Sequence, residues 1–193
     1  MKIYLKEPGE DSEELDGSPV GRLDKPVGGL MLLSRNSKDV SSLQGSFYKI
    51  YLAACSGRIE DNEGQMNDLL LHDRRKNKSF PVKRMRQGVR DARLVYKVLE
   101  YNEENDISLV AVRPITGRTH QIRVQFASRK HPLAGDGKYG SRLKCGISLF
   151  ASVLSYEDPL SHEKMRFFEE VTEGFPWDLF DAAIRSSVKD LSL

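Results

Sequence analysis

The sequence predicts an α+β fold, in which a mixed and mostly antiparallel sheet is flanked by helices. Candidate strands and helices are interspersed along the chain, and they do not follow a regular strand–helix–strand alternation. Hydrophobic residues make up 39% and charged residues 30%, a composition typical of soluble folded proteins rather than disordered ones. Because 193 residues suffice for one self-sufficient core, we expect a single domain over residues 1–193.

The strands are predicted from runs of apolar and aromatic residues, either bounded by glycine or alternating with polar residues. Gly57 ends one such run, and Leu94, Tyr96 and Val98 alternate in another. Residues 8–20 are acidic and contain proline and glycine, so they are predicted to form a loop. The predicted strands are residues 29–33, 47–55, 93–100, 107–112 and 147–155.

The helices are predicted from capping residues and from apolar side chains three or four positions apart. Asn36 or Ser37 can cap the first helix, and residues 120–128 form the second, before a loop at residues 131–140. A third helical pattern follows Pro176 and is interpreted as core packing. Its apolar stripe comprises Trp177, Phe180, Ile184, Val188 and Leu191.

The net charge of +2 conceals an uneven distribution. Acidic residues are frequent before residue 17, whereas basic residues concentrate between Arg74 and Arg93, where they either neutralise nucleic-acid phosphates or form a solvated face. Cys55 and Cys145 lack the spacing of a metal site, and we expect both thiols to be reduced. The sequence contains no pattern of a signal peptide or a membrane span, so we expect a cytoplasmic protein without membrane association.

The first candidate site is the segment GRLDKPVGGL, in which Asp24 lies between Arg22 and Lys25. Nearby cations favour the ionised form of a carboxyl group, and a carboxylate can serve as a nucleophile or a base. A surface salt bridge at a turn is the alternative interpretation of the same residues.

The second candidate site is TGRTHQIRV, residues 116–124, where Gly117 ends a strand and a helix begins near His120. Helix N-termini bind anions, and Arg118 and Arg123 can each hold a carboxylate or a phosphate with two hydrogen bonds. His120 by itself is more typical of a structural hydrogen-bonding residue than of a catalyst. The sequence has neither a serine-hydrolase elbow nor a nucleotide-binding glycine loop.

Taken together, four segments resemble the successive motifs of the RluA-type pseudouridine synthases, from about Gly21 to the mid-160s. The resemblance is to a short form of that family, without its S4-type RNA-binding domain and without the strand segment that usually precedes the first motif. Gly21 stands where the family usually has histidine. The segments are GRLDKPVGGLMLLSRN, KIYLAACSG, RPITGRTHQIRVQFASRKHPLAGDGKYG and LFASVLSYEDPL.

The resemblance implies a pseudouridine synthase fold with a central cleft, and an enzyme that isomerises uridine in structured RNA. It implies that Asp24 breaks the uracil–ribose bond, either by attacking the anomeric carbon or by removing a proton from the neighbouring sugar carbon. Tyr51 would pack against the target base, in a position to assist proton removal, Arg123 would pair with Asp24, and Arg22 would contact the extruded nucleotide. His120 and Arg118 would support substrate binding.

The same resemblance implies that neither a cofactor nor a metal is needed, because the reaction involves no redox step and no phosphate transfer. The expected partner is ribosomal or transfer RNA, and the expected oligomeric state is a monomer, since no coiled-coil pattern is present. Two alternatives remain open at this point: an inactive RNA-binding module of the same fold, and an interaction domain whose motifs are structural. Neither the target uridine nor the route taken by Asp24 follows from the sequence.

Overall fold

The computed structural model describes residues 17–35, 37–159, 161–171 and 173–193. The acidic segment before residue 17, which includes most of the predicted loop, and the candidate cap Asn36 lie outside these ranges. The strands are β1 Ser18–Pro19, β2 Gly28–Gly29, β3 Leu33–Ser34, β4 Tyr48–Ser56, β5 Glu63–Asp73, β6 Lys78–Val82, β7 Val89–Asn102, β8 Ile107–Pro114, β9 Leu149–Glu157 and β10 Lys164–Phe168. The α-helices are α1 Val40–Ser46, α2 Gln121–Ser128 and α3 Ala182–Ser186.

One large sheet organises the molecule, with the strand order β10-β9-β4-β8-β7-β5-β6. All of these neighbours are antiparallel, and only the short β2 pairs in parallel, with β9. The remaining pair, β1 with β3, is a separate small antiparallel ladder. The α+β prediction with a mixed, mostly antiparallel sheet is therefore confirmed.

The central strand β4 shows how the sheet separates two cores, because side chains alternate between its faces. Ile50 and Leu52 belong to a cluster closed by the C-terminal segment, whereas Ala53 and Cys55 belong to a cluster closed by α2. All four are at most 1% exposed. Tyr51 packs against the α2 cluster, on the face opposite Ile50, as the alternation predicts.

The structure corrects three expectations about the strands. Glu63–Asp73, Lys78–Val82 and Lys164–Phe168 are strands that the pattern did not indicate, because each is mostly exposed or interrupted by glycine or proline. The predicted strand at residues 29–33 is instead two short pairings, β2 and β3, on either side of an irregular stretch. Ser18–Pro19, predicted as loop, pairs with β3.

The C-terminal helix is also shorter than its periodicity suggested. Two 3-10 turns, Trp177–Leu179 and Ser187–Asp190, flank the five-residue α3, whose first N–H groups are capped when the Asp181 carboxylate accepts a hydrogen bond from Ala183 N. The apolar stripe nevertheless packs on the second core, as expected. Periodicity reports which face is buried, and a chain of short turns can keep the same side chains on that face.

Other sequence expectations hold. Helices form over Val40–Ser46 and Gln121–Ser128, and Cys55 and Cys145 are both free thiols. Among the described residues, no helix combines the length and apolar character that crossing a membrane requires.

Candidate active site

Asp24 lies in a tight turn that is fastened to the large sheet. Val27 N donates a hydrogen bond to Asp24 O at 2.8 Å, and the Val27 side chain is buried. The next two residues form β2 and pair with Phe150 and Ala151 of β9. Gly29 has a φ of +110°, and a Cβ there would lie 2.4 Å from Ala151 O, so only glycine fits. This backbone geometry fixes where the carboxylate points.

Arg123 of α2 contacts the Asp24 carboxylate. Its Nη1 lies 3.2 Å from Asp24 Oδ2, while Nε and Nη2 bond the two oxygens of Asp136 at 2.6 and 2.9 Å. Arg123 is 3% exposed and Asp136 is fully buried, whereas the Asp24 side chain is 25% exposed. The buried Arg123 guanidinium therefore links the fully buried Asp136 carboxylate to the partly exposed Asp24 carboxylate.

The charge of Arg123 is secure in this position. Burial by itself lowers the pKa of Arg123, but the hydrogen bonds and charges of Asp136 and Asp24 outweigh it and raise the pKa above its ordinary value. Arg123 therefore presents a fixed positive charge to the Asp24 carboxylate. Among the described residues, the contacts to this carboxylate go to Oδ2, which leaves Oδ1 available to a substrate.

His120 lies near Asp24 Oδ2 and has a left-handed backbone conformation. It precedes α2 in the left-handed region at φ 55°, it is 8% exposed, and its Nε2 lies 3.9 Å from Asp24 Oδ2. Its Nδ1 is 3.0 Å from the Tyr139 hydroxyl, which in turn accepts a hydrogen bond from Ser79 N at 2.8 Å. The one hydrogen of the Tyr139 hydroxyl can be donated either to Ser79 O at 3.3 Å or to His120 Nδ1, and in the second case the neutral imidazole carries its own hydrogen on Nε2, facing Asp24.

Tyr51 reaches the site from β4. Burial, and after it the negative charge of Asp24, raises the pKa of its phenol far above the ordinary value. The hydroxyl therefore stays protonated at neutral pH. Such a ring offers an apolar surface and a hydrogen-bond donor rather than a base.

Not all predicted site residues converge. Asp24, Arg123 and His120 are brought together, and Tyr51 lies close enough to sense the Asp24 charge. Arg22 and Arg118 are exposed, and no hydrogen bond or ion pair within the described ranges joins either one to Asp24. Arg118 instead donates from Nε to Asp91 O at 2.7 Å.

Asp136, Tyr139 and Ser79 are functional residues without a role in the sequence prediction. The first two lie in the glycine-containing segment DGKYG, within the third and longest of the four motifs. Polar residues between glycines were the available signal, but their partners come from α2 and β6. In the described part of the chain, no group of three or more histidine, cysteine or acidic residues is arranged to hold a metal ion.

Comparison with known proteins identifies the family of this chain. The family model described as RNA pseudouridylate synthase matches residues 2–128. The dual-specificity RNA pseudouridine synthase RluA of Vibrio parahaemolyticus is 32% identical over 155 residues, covering 74% of this chain and 61% of that protein. The tRNA pseudouridine(31) synthase of Saccharomyces cerevisiae is 33% identical over 192 residues, covering 82% of this chain and 46% of that protein.

Solved structures share the fold. Human RNA Pseudouridylate Synthase Domain Containing 4 superposes with a TM-score of 0.68 at 19% identity, covering 92% of this chain and 77% of that one. The chain spans roughly half to three fifths of the length of the curated relatives named above. From the family match, the sequence relatives and the shared motifs, the chain belongs to the RNA pseudouridylate synthase family, and within it to the RluA type.

Proposed function

We propose that this chain is an RNA pseudouridine synthase that isomerises selected uridines of a structured RNA, with Asp24 as its catalytic carboxylate. The observation that carries the proposal is the contact of Asp24 Oδ2 with Arg123 Nη1 at 3.2 Å, beside Tyr51 and partly open to solvent. The names of its relatives, which include a tRNA enzyme and ribosomal large subunit enzymes, support transfer or ribosomal RNA as the substrate class.

The chemistry requires the target uridine to leave its stack, since a paired base cannot be reached. Asp24 then uses its accessible oxygen either to attack the anomeric carbon or to remove a proton from the adjacent sugar carbon. The detached uracil turns and bonds to the ribose through C5, and the C5 hydrogen leaves as a proton. The protonated state of Tyr51 favours packing against the base over a role in proton removal.

Release of tritium from RNA labelled at uracil C5 tests the proposal, because rearrangement displaces that hydrogen. The parent should release label from cellular RNA, and Asp24→Asn should slow release by at least about 10²–10⁴-fold. Asn keeps the size of the side chain but cannot act as a nucleophile or a base. Asp39→Asn, on the exposed turn before α1, is the control and should behave as the parent. Release by Asp24→Asn at the parent rate would remove Asp24 from the mechanism.

The alternative is an RNA-binding module that has kept the fold without activity. Binding of RNA by the parent without any tritium release would support this alternative.

RNA binding is expected to use the basic residues between β5 and β7. Those of the β5–β6 turn and the β6–β7 loop are exposed: Arg74, Arg75, Lys76, Lys83, Arg84 and Arg86. The triple change of Lys83, Arg84 and Arg86 to Ala should weaken RNA binding and reduce its salt dependence. With fewer phosphates neutralised by the protein, fewer counterions are released from the RNA on binding. Unchanged affinity and salt slope in a fluorescence titration would exclude this loop as an RNA contact.

A further inference from the structure

A cavity of about 210 Å³ is lined in part by Thr119, the residue that precedes His120 of the candidate active site. It is enclosed by β5, β6, β7 and the loop that leads into α2, and Leu70, His72, Ser79, Arg90, Gly117 and Arg118 are among its lining residues. Leu70 and His72 share the strand face of Met66, which belongs to the α2 cluster. The cavity therefore opens on the same side of the sheet as Asp24.

The wall between the cavity and Asp24 is a short hydrogen-bonded chain. Ser79 Oγ donates to Thr119 O at 2.6 Å, and Ser79 N donates to the Tyr139 hydroxyl, which contacts His120 Nδ1. His120 follows Thr119 directly and faces Asp24. A strand of RNA with one nucleotide at Asp24 would thus meet this cavity next.

Cationic groups surround the opening. Arg90 and Arg118 are both exposed, and Arg118 is oriented by its Nε bond to Asp91 O. Within the described ranges, the Arg90 guanidinium has no hydrogen bond or ion pair with protein, and the only bond of the Arg118 side chain is the one from Nε. Guanidinium groups of this kind bind phosphate oxygens with charge-assisted hydrogen bonds.

The interior is suited to a base rather than to a second charge. Leu70 is 3% exposed and supplies an apolar floor. Because the Ser79 hydroxyl already donates to Thr119 O, its oxygen is free to accept from His72 Nδ1 at 3.2 Å. That arrangement leaves His72 Nε2 with a lone pair, an acceptor for an N–H group of a base.

We propose that this cavity binds the nucleotide adjacent to the target uridine, with its phosphate between Arg90 and Arg118 and its unpaired base against Leu70 and His72. This inference rests on the proposed function for the identity of the RNA. The volume is below the roughly 300 Å³ at which drug-sized ligand pockets begin, so it accommodates one small planar group rather than a longer segment.

The first test fills the cavity without changing charge. Gly117 lines the cavity, a Cβ there meets no atom within 4 Å and its φ is not positive, so Gly117→Leu is compatible with the backbone and places a bulky side chain at the edge of the cavity. Gly45→Leu, at an exposed glycine of α1 with equally open surroundings, is the matched control. With a fluorescein-labelled RNA hairpin carrying a loop of uridines, we expect Gly117→Leu to bind about tenfold more weakly and Gly45→Leu to bind like the parent.

The second test asks whether the two arginines share a phosphate. Arg90→Ala should also weaken binding about tenfold, but the slope of log affinity against log salt should change little, because Arg118 still neutralises the shared phosphate. The double change with Arg118→Ala should lower the slope by about 0.7, the value for one phosphate of a single strand. Lys97→Ala, on β7 but on the opposite face from Arg90, is the control and should leave the slope unchanged.

Three results would overturn the proposal: no binding of this hairpin by the parent, parent-like binding by Gly117→Leu and Arg90→Ala, or a slope that falls by about 1.4 in the double variant, the value for two separate phosphates. These readouts do not depend on catalysis. Cavity-dependent binding without tritium release would leave this site in place and contradict the proposed activity, whereas release without cavity dependence would do the reverse.

Discussion

The two faces of the large sheet bury different chemistry. On the face of the C-terminal segment, Ile50 and Leu52 pack with apolar partners, and among the described residues the side chain of the buried Arg185 bonds a backbone carbonyl and no carboxylate. On the face of α2, the buried Arg123 and Asp136 bond each other and extend to the partly exposed Asp24. Adjacent positions of one strand, Ile50 and Tyr51, therefore serve different ends.

The difference separates stability from function. Burying apolar side chains stabilises the fold directly, at about 25 cal/mol for each Å² removed from water. Burying an ion pair carries a desolvation penalty that often cancels its attraction, so a packed apolar pair would stabilise as well or better. We infer that the charges of the α2 face serve to hold the Asp24 carboxylate in a fixed orientation.

The largest effect that separates the faces is expected from Asp136→Asn. The change leaves the buried Arg123 with only Asp24 as a charged partner, and breaking a buried pair in this way costs about 3–5 kcal/mol of unfolding free energy. Tritium release should fall as well, because Arg123 is no longer held in place. Urea unfolding and the release assay measure the two effects.

Asp91→Asn is the matched control for that change. Asp91 also pairs with an arginine, Arg93, but the two side chains are 48% and 55% exposed, and such surface pairs contribute less than about 1 kcal/mol. Equal destabilisation by the two changes would contradict the contrast between the buried and the exposed pair.

Ile50→Ala is expected to lower the unfolding free energy by a similar or smaller amount than Asp136→Asn, without an effect on catalysis. Ile50 is fully buried in the C-terminal cluster, and truncating such a side chain costs about 2–5 kcal/mol. Tritium release per folded molecule should remain at the parent level, whereas Tyr51→Ala, one residue along the strand, should reduce it. If Ile50→Ala reduced release by folded protein as strongly, the two faces would not be functionally distinct.

The smallest effect concerns pH. Burial lowers the pKa of His120 below 6.5, with Asp24 and Asp136 opposing and Arg123 and Lys138 reinforcing the shift. The unfolded chain therefore takes up this proton at a higher pH than the folded chain does. The stability that His120 contributes in its neutral form is complete above about pH 6.5 and is lost as the pH falls below it.

His120→Asn should remove that loss, so its unfolding free energy should decline less than that of the parent on acidification. Asn tolerates the left-handed backbone at this position. His162→Asn is the control. His162 has the same left-handed backbone conformation, at φ 58°, but its side chain is exposed, not buried. Urea unfolding at several pH values measures the difference, and parallel declines for parent and His120→Asn would refute the assignment.

How much of the fold could be predicted differed from element to element. The strands at Tyr48–Ser56 and Ile107–Pro114 were indicated because both of their faces are buried and their residues are apolar. Strand β5 was missed because Gly64, Gln65 and Asn67 depress its strand propensity, and its pairing with β7 outweighs that preference. A local pattern does not contain the hydrogen bonds that a neighbouring strand supplies.

By itself, the amino-acid sequence determined the α+β class, the alternation that divides β4 between two cores, and the motifs that mark Asp24 and Arg123. Only the tertiary structure decided that Asp136 secures Arg123, that His120 faces Asp24, and that Arg118 lies at a separate cavity. The reason is physical. Patterning records which face of an element is buried, whereas charges interact over a few ångströms in space, and folding brings Asp24 to Arg123 across 99 residues of chain.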